Sequence, residues 1–566
     1  MTPKQALARA LSALLVAPVL LSPAPVRAQA DQTGRWDTLV TLPFFPVHDH
    51  LLPDGKVMIW PGDGGISGND PRLWDPATQS LTLLAKPGYD VFCSGHSFLA
   101  DGRLFVAGGH IQNGVGLQRS SLYDPFANAW IGAPDMNAGR WYPTAMTLAN
   151  GDALVVSGSI DNTVGTNTLP QVYQAGSATW RNLSSAALGL DLYPMMFVAP
   201  NGRVVNVGPT PTTRALDTSG TGAWSLIGSS KFGHRSYGSA VMYAEGKILL
   251  VGGGDPPTNT AEVIDLTQPT PAWRDTAPMS IARRQLNATL LPDGTVLVTG
   301  GTFGPGFNNA STPAHPAELW NPATETWTTL ASATVPRLYH SAALLLPDGR
   351  VLSTGGNGQP TPEAFSPPYL FKGTRPAMSG VPSALGYGQR FAVQTSDAAS
   401  IRKVTLIRIT SVTHAFNPNQ RLNTLGFTAT AGGLEIVAPA SGNVAPPGHY
   451  LLFLVNGSGV PSVGSIVRLG TAAPPPPPPP PSTFTLTVTR TGSDSAKGTV
   501  TSSPAGISCG TACSGAFTRG AVVTLTARAL ANRVFAGWGG ACSGTAPTCT
   551  VTMDGTKSVT AAFNRR

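Results

Sequence analysis

The 566-residue chain has a net charge of +8, yet only 12% of its residues are charged, and its 64 glycines and 52 prolines fit turn-rich β-structure rather than long helices. It has no Lys/Arg cluster of the kind that lines a nucleic-acid groove, so the charge is read as a solvated surface and no nucleic-acid partner is expected. At the N-terminus Lys4 and Arg9 precede an apolar run from Ala10 to Leu21, and Ala28-Gln29-Ala30 offers a small-residue cleavage site. Residues 1–30 are therefore expected to be an export signal, with the mature chain starting near Asp31. No other apolar stretch is long enough for a transmembrane segment, and a soluble monomer, secreted or periplasmic/extracellular, is expected.

From residue 52 one unit recurs: "LPDGKVMIWPGD", "LADGRLFVAGG", "LANGDALVVSGS", "APNGRVVNVGP", "YAEGKILLVGGG", "LPDGTVLVTGG" and "LPDGRVLSTGG". The turn glycines, Gly55, Gly102, Gly151, Gly202, Gly246, Gly294 and Gly349, are spaced by 47, 49, 51, 44, 48 and 55 residues. A strand, a Gly turn, a second strand and a glycine pair at this period predict a seven-bladed kelch-type β-propeller over residues 31–365. Most copies close with an outer hairpin, as in "VYQAGSATWRNL" and "LWNPATETWTTL", but the seventh lacks its Trp-x-x-Leu ending. "GRWDTLVTLP", Gly34 to Pro43, is expected to complete that blade and close the ring.

Residues 366–472 read as an immunoglobulin-like β-sandwich, and residues 473–482, containing eight consecutive prolines, as an extended linker. Residues 483–566 read as a small disulfide-containing β-domain that resembles internalin B-repeat modules, mainly through "FAGWGGAC" and "VTAAF". Of the five cysteines, Cys509, Cys513, Cys542 and Cys549 lie in this tail and are expected to pair among themselves, 509 with 513 and 542 with 549 being one arrangement. Cys93 is left over.

In a propeller, equivalent positions of the innermost strands converge on the axis. Nine residues before the turn glycine stand Cys93, Tyr142, Tyr193, Tyr237 and His340, with Tyr339 beside the last. Imidazole nitrogen and phenolate oxygen suit Cu(II), whereas zinc would call for more thiolates or a third histidine. A further nitrogen ligand is expected from His48, His50, His96, His110, His234 or His315, or from His414 or His449 beyond the repeats. Taken singly, Cys93 is a buried small hydrophobe and Tyr142 a packing aromatic; at one slot they become a metal-site inventory. His48, His50 and His96 are expected to be structural or supporting, His110 and His315 loop residues, and His449 a strand residue with its ring near the surface.

"FCSGHSFLADGRLFVAGG", "RWYPTAMTLANG", "RLYHSAALLLPDGRV" and "SVTHAFNPNQR" together resemble the copper radical oxidases, the family of galactose oxidase and glyoxal oxidase, over about residues 34–470. The resemblance implies one copper ion and a radical cofactor made by a thioether between Cys93 and Tyr142. Tyr142, Tyr339, His340 and His414 would be metal ligands and Cys93, Tyr142 and Tyr339 the catalytic residues. His414 would reach the metal on a loop braced by Gln420 and Arg421. The implied reaction oxidises a small aldehyde or a primary alcohol with O2, giving hydrogen peroxide. Where galactose oxidase stacks a tryptophan on the cross-linked ring, counting places Ile160, which resembles the glyoxal oxidase branch and favours aldehydes such as glyoxal or methylglyoxal. The alternatives are a galactose oxidase-like alcohol oxidase and a non-catalytic carbohydrate-binding or adhesion propeller. The tail is read as either a cell-wall or polysaccharide contact or a stabilising appendage.

Overall fold

The structure is a computed structural model that describes residues 29–62, 68–356, 358–470 and 483–566. The expected export signal up to residue 28 and the expected polyproline linker lie outside the described residues. The chain divides into two compact units, residues 1–472 and 473–566. No described helix is long and apolar enough to cross a membrane.

The larger unit is built almost wholly of strands. Seven antiparallel sheets of at least four strands follow one another, with innermost strands Pro46–Leu51, Gly95–Phe98, Thr144–Thr147, Met195–Val198, Ser239–Ala244, Arg284–Leu290 and Ser341–Leu345. The innermost strands from the second to the seventh neighbour one another in turn and the seventh returns to the first, while between the first and the second His48 meets His96 and the strand Ser411–Thr413 intervenes, so together they close a ring. The turn after each explains the repeated glycine: all seven turn glycines have φ between 67° and 94°, where a side chain would be strained. The seventh sheet takes its outer strand from the N-terminus, with Arg35 opposite Ser366 and Trp36 opposite Phe365. The Trp36 indole N–H donates to the Ala331 carbonyl at 2.9 Å, which fixes this junction from the side.

A second repeated device was not read from the sequence. Arg140, Arg235, Arg283 and Arg337 stand 11 or 12 residues before their turn glycines and are at most 2% exposed. One guanidinium nitrogen of each donates to a carbonyl ending the second strand, at Ser157, Gly252, Gly300 and Gly355, over 2.7–3.0 Å. The other reaches the third strand, pairing with Glu262 at 2.5 Å, Glu318 at 2.6 Å and Glu363 at 3.4 Å, and in the third copy with Gln171 at 3.1 Å. Each arginine thus clamps three strands of its sheet in a dry setting.

After residue 375 the chain forms two packed sheets, Ala384–Leu385, Ile401–Arg408, Leu422–Leu425, Gly448–Asn456 and Ser465–Leu469 in one, and Arg390–Gln394, Phe427–Thr430 and Gly433–Val437 in the other. Phe391, Leu406, Leu434, Ile436 and Tyr450 fill the space between them. The loop between Arg408 and Leu422 leaves this sandwich and enters the ring, where Ser411–Thr413 adds a fifth strand beside Pro46–Leu51. His449 lies in a strand as expected, but its ring is buried, packed against Gly102, rather than near the surface.

The smaller unit is also two four-stranded sheets, around Leu486, Val500, Leu525, Trp538 and Phe563. Cys509 pairs with Cys513 and Cys542 with Cys549.

Because the Arg283 and Glu318 side chains are both 0% exposed, Glu318→Ala leaves the Arg283 charge buried without its carboxylate. Denaturant unfolding is expected to show a loss of about 3–5 kcal/mol; a loss below about 1 kcal/mol, the scale of a surface ion pair, contradicts the clamp.

Candidate metal centre

The slot nine residues before the turn glycine has a backbone signature. Cys93, Tyr142, Tyr193, Tyr237, Gln285 and His340 all have positive φ, between 47° and 68°, which costs a non-glycine residue about 1–2 kcal/mol. Neighbouring slots hold one another: the Tyr142 N–H donates to the Cys93 carbonyl and the Tyr193 N–H to the Tyr142 carbonyl, both at 2.9 Å, and the Gln285 N–H to the Tyr237 carbonyl at 2.7 Å. Gln285 escaped the sequence reading, although the same subtraction from Gly294 finds it.

Four donor atoms meet at one point. The Tyr142 and Tyr339 hydroxyls are in direct hydrogen-bond contact. His414 Nε2 lies 2.8 Å and His340 Nε2 3.5 Å from the Tyr142 hydroxyl. His414 belongs to the inserted loop and also has positive φ. Thr413 Oγ1 donates to the Val47 carbonyl at 3.1 Å, so it accepts from His414 Nδ1–H at 2.5 Å, and this leaves the His414 Nε2 lone pair facing the tyrosines. Burial holds the His340 imidazole down to about 3 and His414 well below its ordinary range, so both rings are neutral at neutral pH. Burial pushes the Tyr142 phenol well above 10, with Cys93 and Tyr339 adding to the shift. Its phenolate therefore needs a cation beside it. Two such oxygens and two imidazole nitrogens fit Cu(II), and among the described residues no group of three His, Cys, Asp or Glu side chains offers another metal site.

Cys93 is fully buried and packs in one apolar cluster with Val47, Phe92 and Tyr142. His48 Nε2 accepts its N–H at 3.1 Å, while His48 Nδ1 lies 3.1 Å from His96 Nε2, so these two histidines support the site from behind. His50 is buried against the His96 and Trp60 rings. His315 Nδ1 bonds the Ala333 carbonyl at 3.0 Å, away from the centre. His110 departs from its expected loop role: it lies in the short strand His110–Gln112, and its Nδ1 accepts the Trp141 indole N–H at 3.2 Å.

Trp141 also changes the substrate argument. It stacks on Tyr142 with ring centroids 3.7 Å apart and planes 11° from parallel, so the ring does carry a tryptophan, supplied by the adjacent residue rather than from position 160. Tyr193 stacks on the same ring at 4.7 Å. The group opens into a cavity of about 430 Å³ lined by Trp141, Tyr193, Tyr237, Phe307, Tyr339 and Phe416, with Asp191, His234 and Ser236 as its polar members. Tyr193 and Tyr237 thus shape the pocket without joining the donor set.

Burial holds six histidines, His48, His50, His96, His340, His414 and His449, below their ordinary range. Unfolded, they titrate near 6.5, so the unfolded chain binds more protons below that pH and stability falls with pH. Asp49, raised by burial to about 7, and Asp293, also raised, act in the opposite sense, but they are two groups against six. The denaturant midpoint of copper-free protein is expected to fall from pH 6.5 to pH 4.5, and a rising midpoint contradicts this balance.

Comparison with known proteins agrees with this geometry. Residues 375–469 match the galactose oxidase-like early set domain, residues 254–365 the glyoxal oxidase N-terminus, and residues 486–566 the divergent InlB B-repeat domain. Galactose oxidase of Gibberella zeae is 31% identical over 77% of this chain and 70% of its own length. Aldehyde oxidase GLOX of Vitis pseudoreticulata is 30% identical over 67% of this chain and 82% of its own. A fungal alcohol oxidase of the AA5 family, solved in complex with copper, superposes with a TM-score of 0.72 at 27% identity, covering 78% of this chain and all of that one. The chain belongs to the copper radical oxidase family, oxidases of the galactose oxidase and glyoxal oxidase type whose cofactor is copper with a Cys–Tyr cross-linked radical.

Proposed function

We propose that this chain is an exported oxidase that converts small aldehydes, as their hydrates, to acids and reduces O2 to hydrogen peroxide. The observation that carries the reading is the convergence of Cys93, Tyr142, Tyr339, His340 and His414 from four separated segments. Cys93 and Tyr142 are read as the thioether-linked radical pair, and Tyr142, Tyr339, His340 and His414 as the ligands. The ring of sheets is read as a seven-bladed propeller over residues 31–365, followed by the sandwich at 366–472, the linker at 473–482 and the tail at 483–566.

Bound copper would supply a one-electron acceptor and a Lewis acid for the substrate oxygen. The side chains do the rest. Aromatic walls line the cavity beside Tyr142 and Tyr339, where a small substrate can lie against both rings. Tyr339 accepts the substrate hydroxyl proton at its phenolate oxygen. Tyr142 takes the hydrogen atom from the carbon, with its spin shared onto the Cys93 sulfur. Preference for aldehydes is supported by the glyoxal oxidase match and the GLOX relative. Oxidation of primary alcohols is the second reading, favoured by the galactose oxidase relative and the alcohol oxidase fold neighbour.

Copper-loaded protein should release peroxide with methylglyoxal faster than with galactose or benzyl alcohol, and reversal of that order selects the alcohol reading. Tyr339→Phe should lower kcat/KM by about 10²–10⁴-fold, the usual worth of a general base, with the Cys93–Tyr142 peptide mass unchanged. A loss below tenfold contradicts the role of Tyr339.

A further inference from the structure

We infer that His110 is a positioning residue that holds the Trp141 indole flat over the Tyr142 ring and thereby stabilises the oxidised form of that ring. The inference rests on the oxidase reading and adds a residue to it. Trp141 is fixed twice. Its main chain exchanges both hydrogen bonds with Ser159, at 2.8 and 2.7 Å, which sets the position of Cα and leaves the indole free to swing about its side-chain torsions. The second fixing point is its N–H, which donates to His110 Nδ1 at 3.2 Å. The two anchors share a base, because the Ser159 hydroxyl donates to the Gly114 carbonyl at 2.6 Å, at the turn of the hairpin that carries His110. The His110 N–H donates to the Asp90 carbonyl at 3.0 Å, and its ring packs edge-on against Phe92, centroids 5.3 Å apart. The imidazole therefore cannot easily drift away from the indole.

The electronic consequence follows from this contact. A ring that has lost an electron is stabilised by an electron-rich face, and indole stacked at 3.7 Å offers one. Donating its N–H to an imidazole lone pair polarises the indole further in that direction. His110 touches neither substrate nor the donor atoms, so its effect runs through Trp141.

The test compares His110→Phe, which keeps a ring but removes the acceptor, with His110→Gln, which restores one, in copper-loaded full-length protein. At a fixed solution potential His110→Phe should lower the oxidised-to-reduced ratio of the Tyr142 radical about tenfold, 59 mV for a one-electron couple. The half-life of the radical absorbance should shorten by a similar factor, and His110→Gln should recover most of both. Without copper, the indole N–H resonance of Trp141, identified by its loss in Trp141→Phe, should move upfield in His110→Phe. In a Trp141→Phe background, adding His110→Phe should change nothing further. Ratio and half-life within twofold of the parent, or an equal effect of His110→Phe without Trp141, overturns the inference. Absence of any radical in the unsubstituted protein overturns the oxidase reading itself, and this inference with it.

Discussion

One loop, residues 411–421, holds hydrogen bonds to all seven sheets, and the centre exists only where it is seated. Thr413 pairs with the first sheet at His48, and Asn419 meets the second at Ser97 and the third at Thr147. Arg421 reaches the fourth at Val198 and bridges the fifth at Met242. Gln420 bonds the sixth at Ala288, and Ala415 the seventh at Ser341. A ring of sheets has an axial gap that its own strands do not fill, and the polar edges facing that gap need partners. The sandwich supplies them, and the same insertion carries His414 to the tyrosines. Stability and the donor set are therefore coupled, since any change that unseats the loop withdraws His414 from the tyrosines.

The ring contributes the complementary device. A left-handed backbone at the start of six of the seven innermost strands breaks the alternation of the strand and brings residues from different sheets to one place. Six copies share this conformation, but only some carry chemistry: thiol at 93, phenol at 142, imidazole at 340. The scaffold repeats and the side chains differ, which is how a symmetric fold builds an asymmetric site. In four of these copies a buried arginine ties together the strands beside the slot.

Much of this was legible in the sequence because the repeat has a fixed punctuation. A turn glycine marks each copy, and counting back from it reaches Cys93, Tyr142 and His340 without a structure. The closing strand at Trp36 was readable from what the seventh copy lacks. His414 lay outside the repeat, where counting has no reference, and came only through family resemblance. The errors concern side-chain direction. The tryptophan over Tyr142 was sought at position 160, yet Trp141 reaches back onto its own neighbour because the positive φ at Tyr142 folds the chain there. His110 looked like a loop residue because its strand is only three residues long. The arginine clamps were missed because a charged residue in a β-repeat reads as surface until its buried partner is known.

The most direct measurement is the mass of the peptides containing Cys93 and Tyr142 after copper loading in air, with Cys93→Ala as control. Joining sulfur to the ring removes one thiol and one ring hydrogen, so the account predicts a single linked peptide lighter by about two mass units than its parts, absent from the control. Two separate peptides of full mass after copper treatment would contradict it.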